Sequence, residues 1–185
     1  TDMHTHLDKG HIWPRNANPD GTFTGALDAV RADREAYWSA ADVGKRMEFS
    51  LRSAYAHGTS LIRTHLDSLA PQHRISFEVF AEMREAWKDR VALQAVALFP
   101  MENMVDADYF ADLVAVVREK GGLIGGVTRM NPDLDSQLDV LFRAAADKGL
   151  DVDLHVDESD DPAAETLKAI AQAVLRNRFD GKVTA

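Results

Sequence analysis

The sequence predicts an α/β fold of the partial (β/α)8-barrel kind, with about five and a half β/α units. Three observations carry this. Short apolar runs alternate with longer amphipathic segments along all 185 residues, and strands alternating with helices imply a parallel sheet covered by helices. The residues able to do chemistry fall at the C-terminal ends of the apolar runs, where parallel α/β proteins, and barrels above all, place their active sites. The third observation weighs against the competing open, doubly wound sheet: no Gly-x-Gly-x-x-Gly follows the first run, as a dinucleotide-binding sheet would require.

The elements follow in order. Residues 3–7 read as a first strand, and residues 20–25 as loop, with Pro19, Gly21 and Gly25 as breakers. Ser39 stands as an N-cap ahead of Val43, Met47, Leu51 and Ala54, which recur at helical spacing until Gly58. Residues 60–64 form a second strand, and Ser76 caps a helix carrying Val79, Phe80, Met83 and Trp87. Residues 91–98 are a third strand, apolar except at Gln94, and 107–120 a helix stopped by Gly121 and Gly122. Residues 123–127 are a fourth strand, 134–148 a helix stopped by Gly149, and 150–156 a fifth strand. A helix over 162–178 takes Pro162 in its first turn, and Val183 opens a sixth strand.

Composition narrows the function. With 45% hydrophobic residues the chain can bury a core. A net charge of -9 without a basic face excludes a nucleic-acid binder. No apolar run approaches the roughly 20 residues that span a bilayer, and no signal peptide is visible, which points to the cytoplasm. There is no cysteine, so any metal must be held by His, Asp or Glu. The chain opens at Thr1 and closes on Ala185 just as a strand begins; both ends read as cut. A complete barrel needs about 250 residues, so a quarter to a third of one is expected to be missing. An open barrel leaves an unpaired edge strand and apolar faces, which favour self-association.

The sharpest chemical signal is His4-Thr5-His6. Residues two apart in a strand point to one side, so two imidazoles converge at the strand's end. Imidazole nitrogen suits Zn and Fe. His155 ends the fifth strand and supplies a third nitrogen ligand. Glu158 lies three residues on, where the chain bends into a loop. A carboxylate beside an activated water is what acid-base catalysis requires. His65 and Asp67 share a side at the end of the second strand. They line the pocket or orient ligands, or else serve structural hydrogen bonds; Asp8 has the same standing. His11 and Trp13 form a lid or pocket wall, or pack on the surface. His57 and His73 read as ordinary helix-end or loop residues.

Taken in order, His4-Thr5-His6-Leu7-Asp8-Lys9, Arg63-Thr64-His65-Leu66-Asp67, Leu93 to Ala97 with Phe99-Pro100, Gly125-Gly126-Val127 and Asp153 to Glu158 form a specific set. On these blocks the chain resembles the cytosine deaminase-like branch of the amidohydrolase superfamily of metal-dependent hydrolases. The resemblance implies one divalent metal, Zn or Fe, with His4, His6 and His155 among its ligands and Glu158 as proton shuttle. It also implies a further His after the sixth strand, an Asp after the eighth and a preceding small β-sandwich, for which the chain has no counterpart. Binuclear relatives carry a carbamylated Lys at the end of the fourth strand. Here that end reads Gly125-Gly126-Val127-Thr128-Arg129, which favours the mononuclear branch.

Cytosine deaminases place a Gln after the Phe-Pro of the third strand to read the pyrimidine. Here Met101 follows Phe99 and Pro100. Met packs on a ring but cannot make that pair of hydrogen bonds. Phe99, Met101 and Asp157 are expected to line the pocket or to support the groups that do, and the expected small-molecule substrate is a cyclic amidine or amino N-heterocycle other than cytosine. Hydrolysis of a cyclic amide at the same metal centre is the alternative. For the chain alone, a non-catalytic metal-binding fragment is a third reading.

Overall fold

A computed structural model describes residues 1–185. The chain divides into two units: Thr1–Asp67 with Pro71–Ala95, and Ser68–Ala70 with Val96–Ala185. No helix is long and apolar enough to cross a membrane.

The first unit contains β1 (Asp2–Thr5), α1 (Phe23–Tyr37), α2 (Ala40–Ala56), β2 (Leu61–Asp67), α3 (Gln72–Trp87) and the opening residues of β3 (Ala92–Leu98). β1 and β2 pair in parallel, with Asp2 opposite Ile62 and Thr5 opposite Thr64. Three steps on β1 match two on β2, so β1 carries an irregularity where His4 sits. β3 follows β2 in the sheet; the Ala92 N–H donates to the Ser60 carbonyl at 2.9 Å. Gln94, the polar exception in that strand, accepts from Arg63 Nε at 2.9 Å. Val43, Met47 and Leu51 of α2 and Phe77 and Phe80 of α3 are fully buried, and the two helices pack on each other. This is the apolar stripe that the helical spacing predicts.

The second unit contains the remainder of β3, a 3₁₀ turn over Met101–Val105, α4 (Ala107–Lys120), β4 (Ile124–Val127), α5 (Leu134–Lys148), β5 (Val152–His155), α6 (Thr166–Asn177) and β6 (Val183–Thr184). β4, β5 and β6 are parallel, with Ile124 opposite Val152, Val127 opposite His155 and Val152 opposite Val183. Parallel bridges Val96–Leu123 and Pro100–Val127 set β3 beside β4. Ile124, Leu138, Leu141, Phe142, Leu113 and Val117 form the buried interior between this sheet and its helices.

The β/α order agrees with the sequence reading, and five local readings are corrected. The first strand ends at Thr5, so His6 and Leu7 lie beyond it, whereas the second runs on to Asp67. Residues 23–25, read as loop, open a helix that the spacing did not reveal. The only buried residue of α1 is Asp33, while Phe23, Leu27 and Tyr37 are exposed, so α1 has no apolar stripe to read. Gly25 sits in its first turn, donating to the Thr22 hydroxyl at 2.9 Å. A side chain there would strike Asp20 and Asn18. Ser76 is no cap, because α3 starts at Gln72 and buries Ser76 in its body. α6 starts at Thr166 rather than Pro162, because Asp157 supplies its cap from the end of β5.

Gly125 is dictated by close approach. A Cβ on it would lie 2.6 Å from the Ala97 carbonyl oxygen and would also strike the Asp153 carbonyl oxygen. The backbones of β3 and β5 thus press on β4 from both sides. Gly125→Ala should push them apart and cost about 2 kcal/mol, read as a lower urea midpoint; an unchanged midpoint would contradict this packing.

Candidate metal centre

The first unit gathers three imidazoles. His4 stands in β1, His6 just past its end and His65 in β2. The rings of His4 and His65 stack with centroids 4.2 Å apart. His6 lies 5.2 Å from His4 and 5.6 Å from His65. His4 and His65 each present a ring nitrogen within 4.8 Å of the other. His6 Nδ1 lies 3.2 Å from the His65 carbonyl oxygen. With Nδ1 donating there, Nε2 is the ring's lone-pair nitrogen, the arrangement in which a backbone carbonyl sets the tautomer of a metal-binding histidine. His65, expected to line the pocket or to orient ligands, is thus as close to His4 as His6 is.

Hydrogen bonds hold this group. The Leu7 N–H donates to the Thr64 hydroxyl at 2.9 Å. Asp8 is fully buried, and its Oδ2 accepts from the Asp67 N–H at 2.7 Å and from the Ser76 hydroxyl at 3.3 Å. Burial, and then the charge of Asp67, raise the Asp8 carboxyl to about 7 against the pull of Lys9, the Asp67 N–H and Arg46. The Asp67 carboxylate is engaged by two cations, Lys9 and Arg34, each at 3.0 Å. It therefore ties the end of β2 to α1 and to the segment after β1.

That segment is pinned on its other side. Arg46 donates to the carbonyls of Asp8 and Gly10 and pairs with Asp42. Arg15 bridges Asp33 at 2.7 Å and Asp42 at 2.6 Å, and Trp38 Nε1 donates to Asp33 at 2.7 Å. Burial pushes the Asp33 carboxyl up, but the hydrogen bonds from Arg15 and Trp38 outweigh it and the net shift is down. His11 bonds Ser50 at 3.0 Å and meets Phe49 edge-on; Trp13 is 63% exposed. Both take the surface reading. His57 bonds its own helix at Ser53, and His73 lies buried in the first turn of α3.

The second unit places His155 as the last residue of β5, buried and in register with Val127. Its carbonyl accepts both the N–H and the hydroxyl of Thr128, at 3.0 and 2.8 Å. Asp157 adopts a left-handed backbone (φ 51°). Its carboxylate accepts the Thr166 N–H at 2.7 Å, the Thr166 hydroxyl at 2.8 Å and the Leu167 N–H at 3.3 Å. Burial raises the Asp157 pKa, these bonds lower it, and they prevail. Asp157 thus bonds the first turn of α6 through its carboxylate. Glu158 is exposed and shares the wall of a cavity of about 250 Å³ with Thr128, Arg129, Asp157 and Thr166.

Phe99 and Met101, expected to line the pocket or to support the groups that do, are 1% exposed. Phe99 packs on Tyr109 and Phe110 of α4, each at 6.1 Å between centroids, and Met101 lies against Gly126. The sequence reading did not single out Arg34, Arg46 or Thr166, and it took Ser76 only as a cap. Each is a helix residue whose partner lies on a distant segment, and no local spacing reveals that.

No protein-family model matches the chain. It is 79% identical over 184 residues to a pterin deaminase of Rhizobium rhizogenes, covering 100% of this chain and 42% of that protein. It is 27% identical over 197 residues to the N-isopropylammelide isopropyl amidohydrolase of Pseudomonas sp. (strain ADP), covering 99% and 47%. Among solved structures it matches 5-methylcytosine deaminase of Klebsiella pneumoniae with a TM-score of 0.83, at 23% identity over 97% of this chain and 44% of that one. The chain thus spans less than half the length of these relatives. Its fold is that of part of an amidohydrolase (β/α) barrel. Along its whole length the chain is similar to that pterin deaminase and, more distantly, to that amidohydrolase.

The ion pairs of Asp33 make a stability prediction. A carboxylate with a depressed folded-state pKa contributes stability above its unfolded value, near 3.9, and loses it as pH falls through the folded value. Asp33→Asn should cost about 3 kcal/mol at pH 7, as breaking a buried pair does. The gap between parent and variant should narrow as pH falls below the unfolded value and through the lower folded one. Denaturant melts at pH 7 and in acid check this, and a gap that does not narrow would count against it.

Proposed function

We propose that the protein containing this chain hydrolytically deaminates an amino N-heterocycle, with one divalent cation, Zn or Fe, held by His4, His6 and His155, and with Glu158 carrying the proton. The observation that carries this reading is the 79% identity, sustained along the whole chain, to a pterin deaminase. A pterin bears its amino group on a ring amidine carbon, the class of substrate the motifs imply, so a pterin is the first compound to assay. Met101 in place of a hydrogen-bonding Gln supports a substrate other than cytosine.

The residues present fit a divalent cation. The donors are imidazoles with no competing thiolate, a set that suits Zn and Fe. The His65 carbonyl fixes His6 with its Nδ1 proton inward, so Nε2 is the ligating atom. A bound cation would supply an activated water near neutral pH, lowering its pKa from 15.7 towards about 7.

The Glu158 carboxylate accepts the proton of the attacking water and delivers it to the ring nitrogen of the amidine. It then takes the proton of the newly formed hydroxyl and passes it to the departing amino group, which leaves as ammonia while the ring carbon becomes a carbonyl. Its exposure at the cavity wall suits a group that must exchange protons with both water and substrate.

In the metal-loaded parent protein, Glu158→Gln should retain about one metal per chain and lose at least about 100-fold in kcat. His4→Ala and His155→Ala should lose the metal itself, read by elemental analysis. Near-normal turnover by the Gln variant would remove Glu158 from the mechanism, and full metal content in both Ala variants would remove the ligand set.

A further inference from the structure

We infer that Thr128 and Thr166 are positioning residues, which together with Asp157 hold the His155 carbonyl and the turn carrying Glu158 in one fixed arrangement. The inference rests on the proposed role of Glu158 and goes beyond it.

Both hydroxyls are buried, with Thr128 4% and Thr166 1% exposed. Thr128 Oγ1 lies 2.8 Å from the His155 carbonyl oxygen and 2.9 Å from Thr166 Oγ1. Thr166 Oγ1 lies 2.8 Å from Asp157 Oδ1 and accepts the Asp157 N–H at 3.1 Å. Each hydroxyl has one proton, so two of these three oxygen–oxygen contacts are hydrogen bonds at any moment, and together they link the end of β5, the end of β4, the start of α6 and the residue before Glu158. Linked in this way, displacement of any member pulls on the others.

Two features exceed what the fold requires. The His155 carbonyl already accepts the Thr128 N–H at 3.0 Å, so the strand ladder is satisfied without the hydroxyl. The residue at the N-cap position of α6, Glu165, makes no side-chain capping bond; the cap comes instead from Asp157, in the loop nine residues before Thr166. A local Ser or Asp at the cap position would serve the helix equally well. A distant cap also ties the loop to the helix, and it does so through a non-glycine residue held in the left-handed region. The residue so fixed is the first of a three-residue turn closed by the Ser159 N–H on the Asp157 carbonyl at 2.8 Å. Glu158 is the middle residue of that turn. Small displacements of a proton carrier are costly, with an ångström worth about 100-fold in rate.

The test uses the metal-loaded parent protein. Thr166→Val should lower kcat at least about tenfold while KM and metal content stay within about twofold, and Thr166→Ser should restore most of the rate. Thr128→Val should shift kcat in the same direction, with Thr128→Ser again restoring it. A purely structural role would lower the melting temperature and leave kcat alone. That result in both Val variants overturns the inference. Should Thr166→Val fail to fold, the Thr128 pair decides, since Thr128 lies outside the helix cap. Glu158→Gln in the same assay separates the two levels: normal turnover there defeats the proposed function, whereas a dead Gln variant beside active Val variants defeats only this inference.

Discussion

The buried carboxylate of Asp8 is the constraint on which the first unit depends. It accepts the N–H of Asp67 from the end of β2 and the hydroxyl of Ser76 from the body of α3. That joins three segments at a point water does not reach. A buried carboxylate is costly unless bonded and balanced by charge, and here Lys9 and Arg46 supply the balancing cations. Because Asp8 is two residues past His6 and Asp67 two past His65, the same bond sets the register in which those histidines meet His4. The ladder of β1 is already irregular at that place, so the side-chain bond, not the strand period, holds the imidazoles together.

The second unit solves the corresponding problem with hydroxyls and a helix terminus. β5 ends at His155, and the chain must leave the sheet at once. Asp157 turns it through the left-handed region and docks on the first turn of α6. The carboxylate meets the positive end of the helix, an arrangement favourable for both. Gly125, pressed between neighbouring strands, lets β4 come close enough for Thr128 to reach the His155 carbonyl. Polar groups at strand ends recur in both units because a barrel-type fold leaves that end for chemistry.

Much of this was legible in the residues. The apolar stripe of α2, the Ser39 cap and the glycine stops of α4 and α5 appear where local spacing places them. Those signals are short-range and depend on one periodicity or one cap. α1 was illegible for the opposite reason: it docks through Asp33 and its ion pairs, so its inward face is charged and its large apolar residues face water. Ser76 read as a cap because Ser favours caps, but the helix had already begun, and the hydroxyl serves Asp8 instead. Pro162 read as a first-turn residue, but the cap that starts α6 comes from Asp157.

The sequence by itself determined the β/α order, the absence of thiolate ligands, and which histidines and which Glu are the candidates for chemistry. These follow from residue type and from periods of two and 3.6. Only the tertiary structure decided that His65 stacks on His4, that Asp67 is consumed by Lys9 and Arg34, that Phe99 and Met101 are interior packing, and that Asp157 caps a helix. Each of these depends on a partner far away in the chain, and side-chain chemistry is assigned by which partner the fold brings within bonding distance.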